Sequence, residues 1–558
     1  MKAVIAAINA KYVHTSLSVR CIAKAAEGIC ECETAEYTIN DSADGIISDM
    51  YEKAADVAAF SCYIWNIETV LRVARSLKLV SPKTQIVLGG YEVMFDSDSV
   101  MKNNPFVDYI CLGEGEISFA NLLRALRGET DISDAGNVVY RSADGKEIIA
   151  NPSDGRCVDM DSVPIPYDGN IDSVKNKIVY YESSRGCPYR CTYCISGING
   201  GVRFRSAEKV CDDLNFFISR HIPLVKFVDR TFNANPKRAY RIFEYIINTR
   251  ADTRFHMELA GDILDDATIE LLKTAPAGLF QFEIGVQTTN PDTMDAICRK
   301  ISFRKLRQNT QRLIEAGNIH IHLDLIAGLP YEDMESFKKS FDDVISIRPH
   351  VLQLGFLKML KGSEILAQSG KHGYVYRPYP PYEVLENKYI SYGELLELKR
   401  VECALDRYYN SGTFAKTMDY LFEIYNDRYR LFYDISEYFE KNFAQNIAFS
   451  KQALFDALYG CFSHADMSDE FIQALKFDYL HAFRAAKRPQ WFGEYDSSAL
   501  DAAYEFFKDE NIKAEFFPKY SNVPAKEIMK HIHAEGFPQG ILLFDYKENM
   551  VYNISDYI

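Results

Sequence analysis

Three cysteines stand close together in the middle of the chain, in a pattern that could bind metal. Cys187, Cys191 and Cys194 have C-x3-C-x2-C spacing and directly follow an apolar run, residues 178–181, that predicts a β-strand. Thiolates are the usual protein ligands of iron–sulfur clusters, and three on one short loop could hold three irons of a cubane. The alternative is a partial zinc site, but zinc normally takes a fourth cysteine or histidine within reach. The spacing therefore favours an iron–sulfur cluster with one iron open to a small molecule.

The strands and helices predicted around this loop place it at the edge of a parallel sheet. Helical patterns alternate with six apolar runs that predict strands, at residues 178–182, 225–228, 255–259, 280–285, 320–326 and 352–357. Six βα units make about three-quarters of a TIM barrel, in which functional groups lie at the carboxyl ends of the strands. The predicted fold class is therefore α/β, with a partial (βα)6 barrel over residues 173–370.

The cysteine loop resembles that of the radical SAM superfamily. Gly186 and Pro188 on either side of Cys187, and Tyr193 directly before Cys194, match the family's loop. The resemblance implies that S-adenosylmethionine (SAM) completes a [4Fe-4S] cluster held by the three cysteines, with Tyr193 as one SAM contact. It also implies the partial barrel that the strand pattern predicts.

The same resemblance implies SAM contacts at several strand ends. Asp229, after the second strand, would accept a hydrogen bond from the methionyl amine. Gln287 would face the ribose, and Arg299 would pair with the methionyl carboxylate, because guanidinium suits bidentate carboxylate binding. Gly328 and Pro330, after the fifth strand, would lie along the adenine. Structural alternatives exist: Asp229 could cap a helix, Gln287 could be a turn residue and Arg299 a surface cation.

The first 135 residues predict a second α/β domain. Five short apolar runs alternate with helical patterns, at residues 3–8, 35–39, 55–63, 85–90 and 109–113. Strands that are apolar along their whole length are covered on both faces, which indicates parallel βαβ units in a doubly wound, Rossmann-like sheet. A ligand of such a sheet binds at the carboxyl edge of the strands.

Small residues and glycines lie at that predicted edge. Ser61 follows the third strand, Gly89-Gly90 the fourth, and the Gly-Glu-Gly-Glu stretch 113–116 the fifth. Glycine lets a bulky ligand approach the backbone, although ordinary strand–helix turns also use it. Placed ahead of the cysteine loop, this region resembles the cobalamin-binding domain of B12-dependent radical SAM proteins. The resemblance implies cobalamin contacts at Ser61, Gly89, Gly90, Gly113, Glu114, Gly115 and Glu116.

One segment departs from the usual pattern of B12 carriers. They have D-x-H-x-x-G after the first strand, with the histidine below cobalt, whereas residues 9–15 here read Asn-Ala-Lys-Tyr-Val-His-Thr. His14 stands too late for that role and is interpreted as a loop or substrate-side residue. The resemblance therefore implies cobalamin bound without a protein histidine.

Two further regions complete the chain. Residues 136–172 predict a β-hairpin followed by an extended, proline-containing linker. Residues 371–558 predict a mainly α-helical domain rich in aromatic residues, with a long helical pattern over 420–443 and a closing hairpin over 540–553. Aromatic residues at helical spacing usually pack a core. This domain resembles an uncharacterised C-terminal domain that often follows B12-dependent radical SAM cores.

Tyr379 and Tyr382 are the candidate substrate residues. They lie in the proline-rich segment 377–382, which would carry them from the last barrel strand across the barrel mouth. An aromatic wall there would position a substrate without taking part in the cofactor chemistry.

Composition limits the partners. The chain has 558 residues, of which 47% are hydrophobic and 25% charged, as in a soluble globular protein of about three domains. Its formal net charge of −15 argues against nucleic acid, which requires a basic surface. There is no run of apolar residues long enough for a transmembrane segment, and the apolar start is too short for a signal peptide. We therefore expect a cytoplasmic protein.

These features predict a cobalamin-dependent radical SAM methyltransferase that uses a [4Fe-4S] cluster, SAM and cobalamin. A B12-dependent rearrangement or cyclisation uses the same cofactors, so that alternative stays open. A non-catalytic cobalamin or redox sensor is a third possibility. The expected partners are a small-molecule, lipid or peptide substrate and an electron donor such as flavodoxin or ferredoxin.

Overall fold

The chain forms two compact units, residues 1–395 and 396–558. The structure, a computed structural model, describes residues 1–142, 144–153, 155–167, 171–198, 201–443, 449–463, 469–483, 488–493 and 497–555. Residues 168–170 of the predicted linker thus lie outside the described residues. The first unit holds both predicted α/β sheets, and the second is mainly helical.

The N-terminal sheet has seven strands in the order β2-β1-β3-β4-β5-β6-β7. The strands are β1 (Lys2–Asn9), β2 (Glu31–Thr38), β3 (Val57–Ser61), β4 (Gln85–Gly89), β5 (Tyr109–Cys111), β6 (Val138–Arg141) and β7 (Ile148–Ala150). The first five are parallel, as predicted, and the helices between them are α1 (Leu17–Ala25), α2 (Ala43–Glu52), α3 (Ile67–Val80), α4 (Tyr91–Met94), α5 (Ser97–Asn103) and α6 (Gly115–Leu126). The predicted hairpin β6–β7 is more than a connector, because β6 pairs antiparallel with β5 and extends this sheet.

Both faces of this sheet are buried, which explains the continuous apolar strands. Along β1, the side chains of Val4 and Ile8 pack with α2 and α3 on one face. The alternate side chains of Ile5 and Ala7 pack with α1 and α6 on the other face. Successive residues of a strand point to opposite faces, so a strand covered by helices on both sides must be apolar throughout.

The second sheet is the predicted partial barrel. Its strands follow the order β15-β14-β13-β12-β11-β8 and are all parallel. The strands of this region are β8 (Val179–Tyr181), β9 (Ser184–Gly186), β10 (Val202–Phe204), β11 (Leu224–Phe227), β12 (Arg254–Leu259), β13 (Phe280–Gln287), β14 (His320–Ala327) and β15 (Val351–Phe356). Strands β9 and β10 form a separate antiparallel pair that flanks the cysteine loop.

Helices follow the strands of the barrel. They are α7 (Ala207–Ile218), α8 (Pro236–Thr249), α9 (Asp266–Lys273), α10 (Pro291–Ala296), α11 (Phe303–Ala316), α12 (Met334–Ile345), α13 (Glu364–Ala367) and α14 (Ser369–His372). Burial alternates along β13 and β14, with apolar side chains towards the helices and partly exposed residues towards the interior. A short antiparallel pair, β16 (Val375–Tyr376) and β17 (Val384–Glu386), follows the barrel.

The second unit is mainly helical and ends in a three-stranded antiparallel sheet. Its elements are α15 (Tyr392–Leu405, which begins in the first unit), α16 (Ala415–Ile424), α17 (Arg428–Asn442), α18 (Lys451–Phe462), α19 (Asp469–Ala482), α20 (Ser498–Phe506), α21 (Glu510–Phe516), α22 (Ala525–Ile528), β18 (Ile532–Phe537), β19 (Gly540–Asp545) and β20 (Met550–Asn553). The closing hairpin is present as β19–β20, with β18 added beside it.

The single long helical pattern predicted over 420–443 is two helices in the structure. The side chain of Asp427 accepts a hydrogen bond from the backbone N–H of Arg430 and caps α17. An N-cap residue has a non-helical backbone, so the chain turns between α16 and α17. Across the described ranges, no helix is both long and apolar enough to cross a membrane.

Candidate functional site

The cysteine loop is fixed to the carboxyl ends of the barrel strands. Between β8 and β9, Ser183 donates its backbone N–H and its hydroxyl to Asp229, at 2.9 and 2.7 Å, and Ser184 donates its hydroxyl to the same carboxylate. Further along, the backbone N–H of Thr192 donates to the carbonyl of Ile297 at 3.0 Å. The loop therefore has anchors at both ends, in the manner expected of a metal-binding loop.

Each of the three thiols has a hydrogen-bond partner. Cys187 Sγ lies 3.5 Å from the hydroxyl of Thr231, and Arg299 Nη1 lies 3.7 Å from Cys191 Sγ. The backbone N–H of Ser196 donates to Cys194 Sγ at 3.4 Å. Donors to sulfur stabilise the thiolate form and tune the reduction potential of a cluster.

The thiols are not arranged for a single ion. Among the described residues, no three Cys, His, Asp or Glu side chains converge on one point that a metal ion could occupy. A cubane cluster binds each thiolate to a different iron, so its ligands do not meet at one point. Burial raises the pKa of the Cys187 thiol, so metal binding there would release a proton. The donor set of three thiolates fits a cubane cluster.

Gln287 and Arg299, two predicted SAM contacts, lie together beside the cluster loop. The register between β13 and β14 shifts at Gly285–Gln287, and Gln287 has a positive φ of 74°. Arg299 Nη2 donates to the carbonyl of Gly285, and a Cβ at Gly285 would collide with the Gln287 amide. Gln287 Oε1 and Arg299 Nε are buried without a protein partner. Buried polar atoms are normally paired, so these two fit a bound polar ligand such as SAM.

The other predicted SAM contacts have protein partners of their own. Asp229 is fully buried, and burial raises its pKa even though Ser183 and Ser184 donate to it. Gly328, with a φ of +90°, accepts hydrogen bonds at its carbonyl from Tyr374 and Asn387. Pro330 is buried in the same turn, and burial raises the pKa of Tyr193, which lies near Arg299. All four positions stay predictions as SAM contacts.

The glycines predicted to contact cobalamin have different surroundings. A Cβ at Gly90 would lie 2.6 Å from the carbonyl of Cys62, and one at Gly115 would lie 2.7 Å from Ile22. Packing alone therefore accounts for these two. Gly113 has an open surrounding, with its nearest neighbour 4.0 Å from a built Cβ, and Gly89 makes only ordinary contacts. The hydroxyl of Ser61 is buried without a partner and is the clearest atom left for a ligand at this edge.

Glu114 and Glu116 join the N-terminal sheet to the β9–β10 pair. Glu114, the N-cap residue of α6, pairs with Arg203 on β10 and accepts the backbone N–H of Val158 at 2.8 Å. Arg185 on β9 lies 3.4 Å from Glu114 and 2.9 Å from Glu116. Burial would lower the pKa of Arg185, but Glu182 and Glu116 raise it above its ordinary value. The predicted cobalamin edge is thus ion-paired to residues that flank the cysteine loop.

The two candidate substrate tyrosines have contrasting positions. Tyr379 is 54% exposed, whereas Tyr382 is 8% exposed. The hydroxyl of Tyr382 donates to the carboxylate of Glu92, directly after the Gly89-Gly90 turn. Tyr382 therefore contacts the N-terminal sheet domain, and its role as a substrate contact stays a prediction, as does that of Tyr379.

His14 binds to the barrel. Its Nδ1 lies 2.6 Å from the hydroxyl of Tyr180, on β8, and its backbone forms a bridge with Ile178. Burial, with the nearby charges of Lys11 and Lys226, lowers the pKa of His14. The loop after β1 thus connects the N-terminal sheet to the first barrel strand.

Sequence analysis missed a group of polar residues inside the barrel. Glu283 on β13 lies 3.1 Å from His256 Nε2 on β12 and 3.4 Å from Lys226 Nζ on β11. The hydrogen bond from His256, with the charge of Lys226, holds the pKa of Glu283 at about 2. Burial, with two neighbouring histidines, lowers the pKa of His322 on β14 to about 4.

Asp324 is the most unusual member of this group. Burial, reinforced by the charges of Glu283 and Glu258, raises its pKa to about 7. One of its carboxylate oxygens is buried without a protein partner. A signal existed in the sequence: on strands β12, β13 and β14 polar residues alternate with apolar ones, which indicates one polar face. Perturbed carboxyls in a cleft are candidates for functional groups.

Three family models match the chain in sequence. The B12 binding domain matches residues 3–123, the radical SAM superfamily matches 181–344, and a protein family of unknown function, DUF4080, matches 370–554. The chain therefore carries a B12-binding domain, a radical SAM domain and a DUF4080 segment, in that order. These domains identify its cofactors as a [4Fe-4S] cluster, SAM and cobalamin, as predicted.

Known relatives share this core. The cobalamin-dependent radical SAM methyltransferase TokK of Streptomyces tokunonensis is 28% identical over 375 residues, 62% of this chain and 53% of TokK. The anaerobic magnesium-protoporphyrin IX monomethyl ester cyclase of Rubrivivax gelatinosus is 25% identical over 291 residues, 50% of this chain and 51% of the cyclase. The chain thus spans about half the length of these curated relatives.

A solved structure supports the fold. The cobalamin-dependent radical SAM enzyme OxsB, with aqua-cobalamin and SAM bound, superposes with a TM-score of 0.61 at 14% identity. The match covers 93% of this chain and 84% of OxsB. At this identity the likeness shows the arrangement of the fold, and it confirms the predicted α/β class.

Proposed function

We propose that the protein is a cobalamin-dependent radical SAM methyltransferase that acts on an unactivated carbon. The observation that carries this proposal is the set of ion pairs from Glu114 and Glu116 to Arg185 and Arg203. They join the carboxyl edge of the B12-binding sheet to the strands beside the cysteine loop. When bound, the cluster and SAM supply a 5′-deoxyadenosyl radical, and cobalamin supplies a methyl group.

The residues of the chain would align the ligands and limit water. Cys187, Cys191 and Cys194 would hold the cluster. Arg299 donates to the sulfur of Cys191, and the hydroxyl of Thr231 contacts the sulfur of Cys187. Gln287 Oε1 and Arg299 Nε would bind the polar groups of SAM. Ser61 would donate its hydroxyl at the cobalamin edge. Reacting groups held in a fixed geometry avoid much of the entropic cost of their encounter.

A non-methylating reaction is the second candidate. The match to the monomethyl ester cyclase covers 50% of this chain and the match to TokK covers 62%. The name of the cyclase indicates ring formation. The same alignment of SAM and cobalamin sites would serve either reaction. A small-molecule substrate would fit either reaction, and a lipid or a peptide is a more specific alternative.

We also propose a protein electron donor such as flavodoxin or ferredoxin, and a cytoplasmic location. All thirteen cysteines are free thiols, as expected in a reducing compartment. Arg190, on the cysteine loop, is exposed, whereas Arg205 is buried in contact with Asp213. The exposed cation is a contact that an acidic donor could use.

The test uses anaerobically reconstituted protein with hydroxocobalamin, a chemical reductant and SAM carrying a trideuteriated methyl group, so that cobalamin can receive its methyl group only from the labelled SAM. A small-molecule cell extract supplies substrate, and mass spectrometry follows 5′-deoxyadenosine and labelled products. A product that gains the trideuteriomethyl group supports methyl transfer. Deoxyadenosine with an unlabelled new product favours the second candidate. No deoxyadenosine from cluster-loaded protein would contradict both and favour a sensor.

A further inference from the structure

Residues 374–390, here called the strap, follow the barrel and include β16 and β17. The DUF4080 model begins at residue 370 and so includes the strap, but the strap belongs to the first compact unit, which extends to residue 395. Its backbone pairs with the chain that leaves β15. Val384 N–H donates to the Leu357 carbonyl, and Met359 N–H donates to the Tyr382 carbonyl, both at 2.9 Å.

The two ends of the strap hold the turn at Gly328. Tyr374 donates its hydroxyl to the Gly328 carbonyl at 3.0 Å, and Asn387 donates its side-chain amide to the same oxygen at 2.9 Å. The other amide atom of Asn387 accepts the backbone N–H groups of Tyr389 and Ile390, at 2.8 and 3.0 Å. These acceptances fix which way the Asn387 amide points. This is the turn predicted to lie along the adenine of SAM.

The middle of the strap holds the turn at Gly89-Gly90. Tyr382 donates its hydroxyl to Glu92, which is 2% exposed and lies in the first turn of α4. Lys361 Nζ lies 2.9 Å from the same Glu92 oxygen and 3.0 Å from Asp96. Burial would lower the pKa of Lys361, but its hydrogen bonds to Glu92 and Asp96 raise it above its ordinary value. Glu92 is therefore a buried carboxylate that is paired with a partly exposed cation, and such charge-assisted hydrogen bonds are geometrically specific.

We propose that the strap couples SAM binding to cobalamin binding, so that part of a segment of unknown function works in the catalytic core. One short, backbone-paired element contacts a turn of each predicted cofactor site, at Gly328 and at Glu92. Tyr382 and Asn387 are its positioning residues. A ligand that orders one turn would favour one conformation of the strap and, through it, one conformation of the other turn. Each ligand would therefore change the affinity of the other by the same factor. The identity of the two ligands rests on the proposed function.

The test measures the Kd of cobalamin by absorbance titration, with and without saturating SAM, in the full-length, cluster-loaded protein. The coupling factor is the ratio of the two Kd values. We expect the unsubstituted protein to show a factor of about 5 or more, and Tyr382→Phe and Asn387→Ala to bring it near 1. The matched control is Tyr376→Phe, because no side-chain hydrogen bond of Tyr376 is found among the described residues.

The outcomes separate this proposal from the proposed function. Unchanged coupling in Tyr382→Phe and Asn387→Ala would overturn the role of the strap, as would a factor of 1 in the unsubstituted protein. Equal loss of coupling in Tyr376→Phe would also overturn it, since the effect would then be general. A chain that binds no cobalamin at all would instead contradict the proposed function. Tyr382→Phe removes one oxygen, and iron content together with circular dichroism verifies that each variant is folded and loaded.

Discussion

Two buried aspartates, one in the barrel and one in the second unit, show how burial alone fails to identify a functional group. Burial raises the pKa of Asp324 to about 7 and that of Asp478 to about 6. Asp478 accepts hydrogen bonds from Lys416 N, Thr417 N and Thr417 Oγ1, at 3.1, 2.8 and 2.6 Å, and so fixes the start of α16. Asp324 keeps one buried oxygen without a protein partner.

The same contrast holds for the buried glutamates of the two regions. Glu535, in the second unit, contacts Lys476, Arg488 and His533 at once, and its pKa is held low by those hydrogen bonds despite burial. In the barrel, Glu258 is buried near Glu283, and burial with that like charge raises its pKa. Fully paired groups stabilise a fold, whereas unpaired and mutually repelling ones indicate a site that awaits a ligand.

The largest effect is expected at the cysteines. Replacing Cys187, Cys191 and Cys194 together by Ala should remove the iron and all reductive SAM cleavage, because the cluster would lose its three thiolates. Iron analysis, the visible spectrum and deoxyadenosine formation measure this. The matched control is Cys461→Ala, a half-buried thiol of the second unit. A triple variant that kept its cluster, or a native protein purified with zinc, would contradict the assignment.

Asp324→Asn should follow as the next largest effect. If the free oxygen binds a polar ligand group, its loss should lower deoxyadenosine formation about tenfold, the cost of about one hydrogen bond to a charged group. Iron content should stay unchanged. Full activity in Asp324→Asn would show that the Asp324 carboxyl does not bind a ligand. Asp324 and Asp478 would then not differ in function.

The pH dependence of stability gives a second measurement on Asp324. Its folded pKa, about 7, is above the ordinary value for aspartate. The folded state therefore binds the proton more tightly, and this group's contribution to stability falls as pH rises from about 4 to 7. We expect Asp324→Asn to flatten that slope and to equal or exceed the native stability at pH 8 in thermal unfolding. A clear loss of stability at pH 8 would contradict it.

Asp478→Asn should have the opposite consequence at the same pH. Asparagine has one acceptor oxygen where Asp478 uses two, so its NH2 group would face backbone donors of α16. We expect a loss of about 1–3 kcal/mol in the free energy of unfolding, with iron content and SAM cleavage unchanged. Urea unfolding at pH 8 compares it directly with Asp324→Asn. Equal effects of the two substitutions on stability and on activity would erase the difference between the regions.

Local patterns predicted much of this molecule. The apolar strands of both sheets and the cysteine loop follow from spacing and burial over a few residues. The ion pair between Glu114 and Arg203 links residues far apart in sequence, and nothing in either neighbourhood marks the partner. The same is true of Tyr382 and Glu92. Such pairs depend on how two domains pack, which periodicity does not encode. The break at Asp427 was missed because aromatic periodicity outweighed a single capping residue.

Tyr379→Ala should produce a smaller and more selective change. Tyr379 is exposed, unlike Tyr382, so its removal should leave stability, cluster and cobalamin binding as they are. If it lines the substrate path, labelled product should fall a few-fold relative to deoxyadenosine, because an unaligned substrate uncouples the two. Tyr392→Ala, another exposed tyrosine of the first unit, is the control. An unchanged ratio of product to deoxyadenosine would remove Tyr379 from the site.

The smallest effect is expected at His14, a polar residue of the cofactor-binding unit whose Nδ1 already has a partner. Its position after β1 does not match the cobalt-binding pattern of B12 carriers. Its Nδ1 lies 2.6 Å from the Tyr180 hydroxyl, and its backbone bridges to Ile178. Like Asp478 and Glu535, a side chain whose polar atom has a protein partner is expected to stabilise the fold. His14→Ala should therefore cost about 1 kcal/mol of stability and leave the EPR spectrum of bound Co(II) cobalamin unchanged. Tyr180→Phe should match it in stability, since each variant removes the same hydrogen bond. The contrary result would be nitrogen hyperfine splitting in the spectra of the native protein and of Tyr180→Phe that is absent from His14→Ala. That result would identify His14 as a cobalt ligand, and it would show that a hydrogen-bonded partner does not distinguish structural from functional groups.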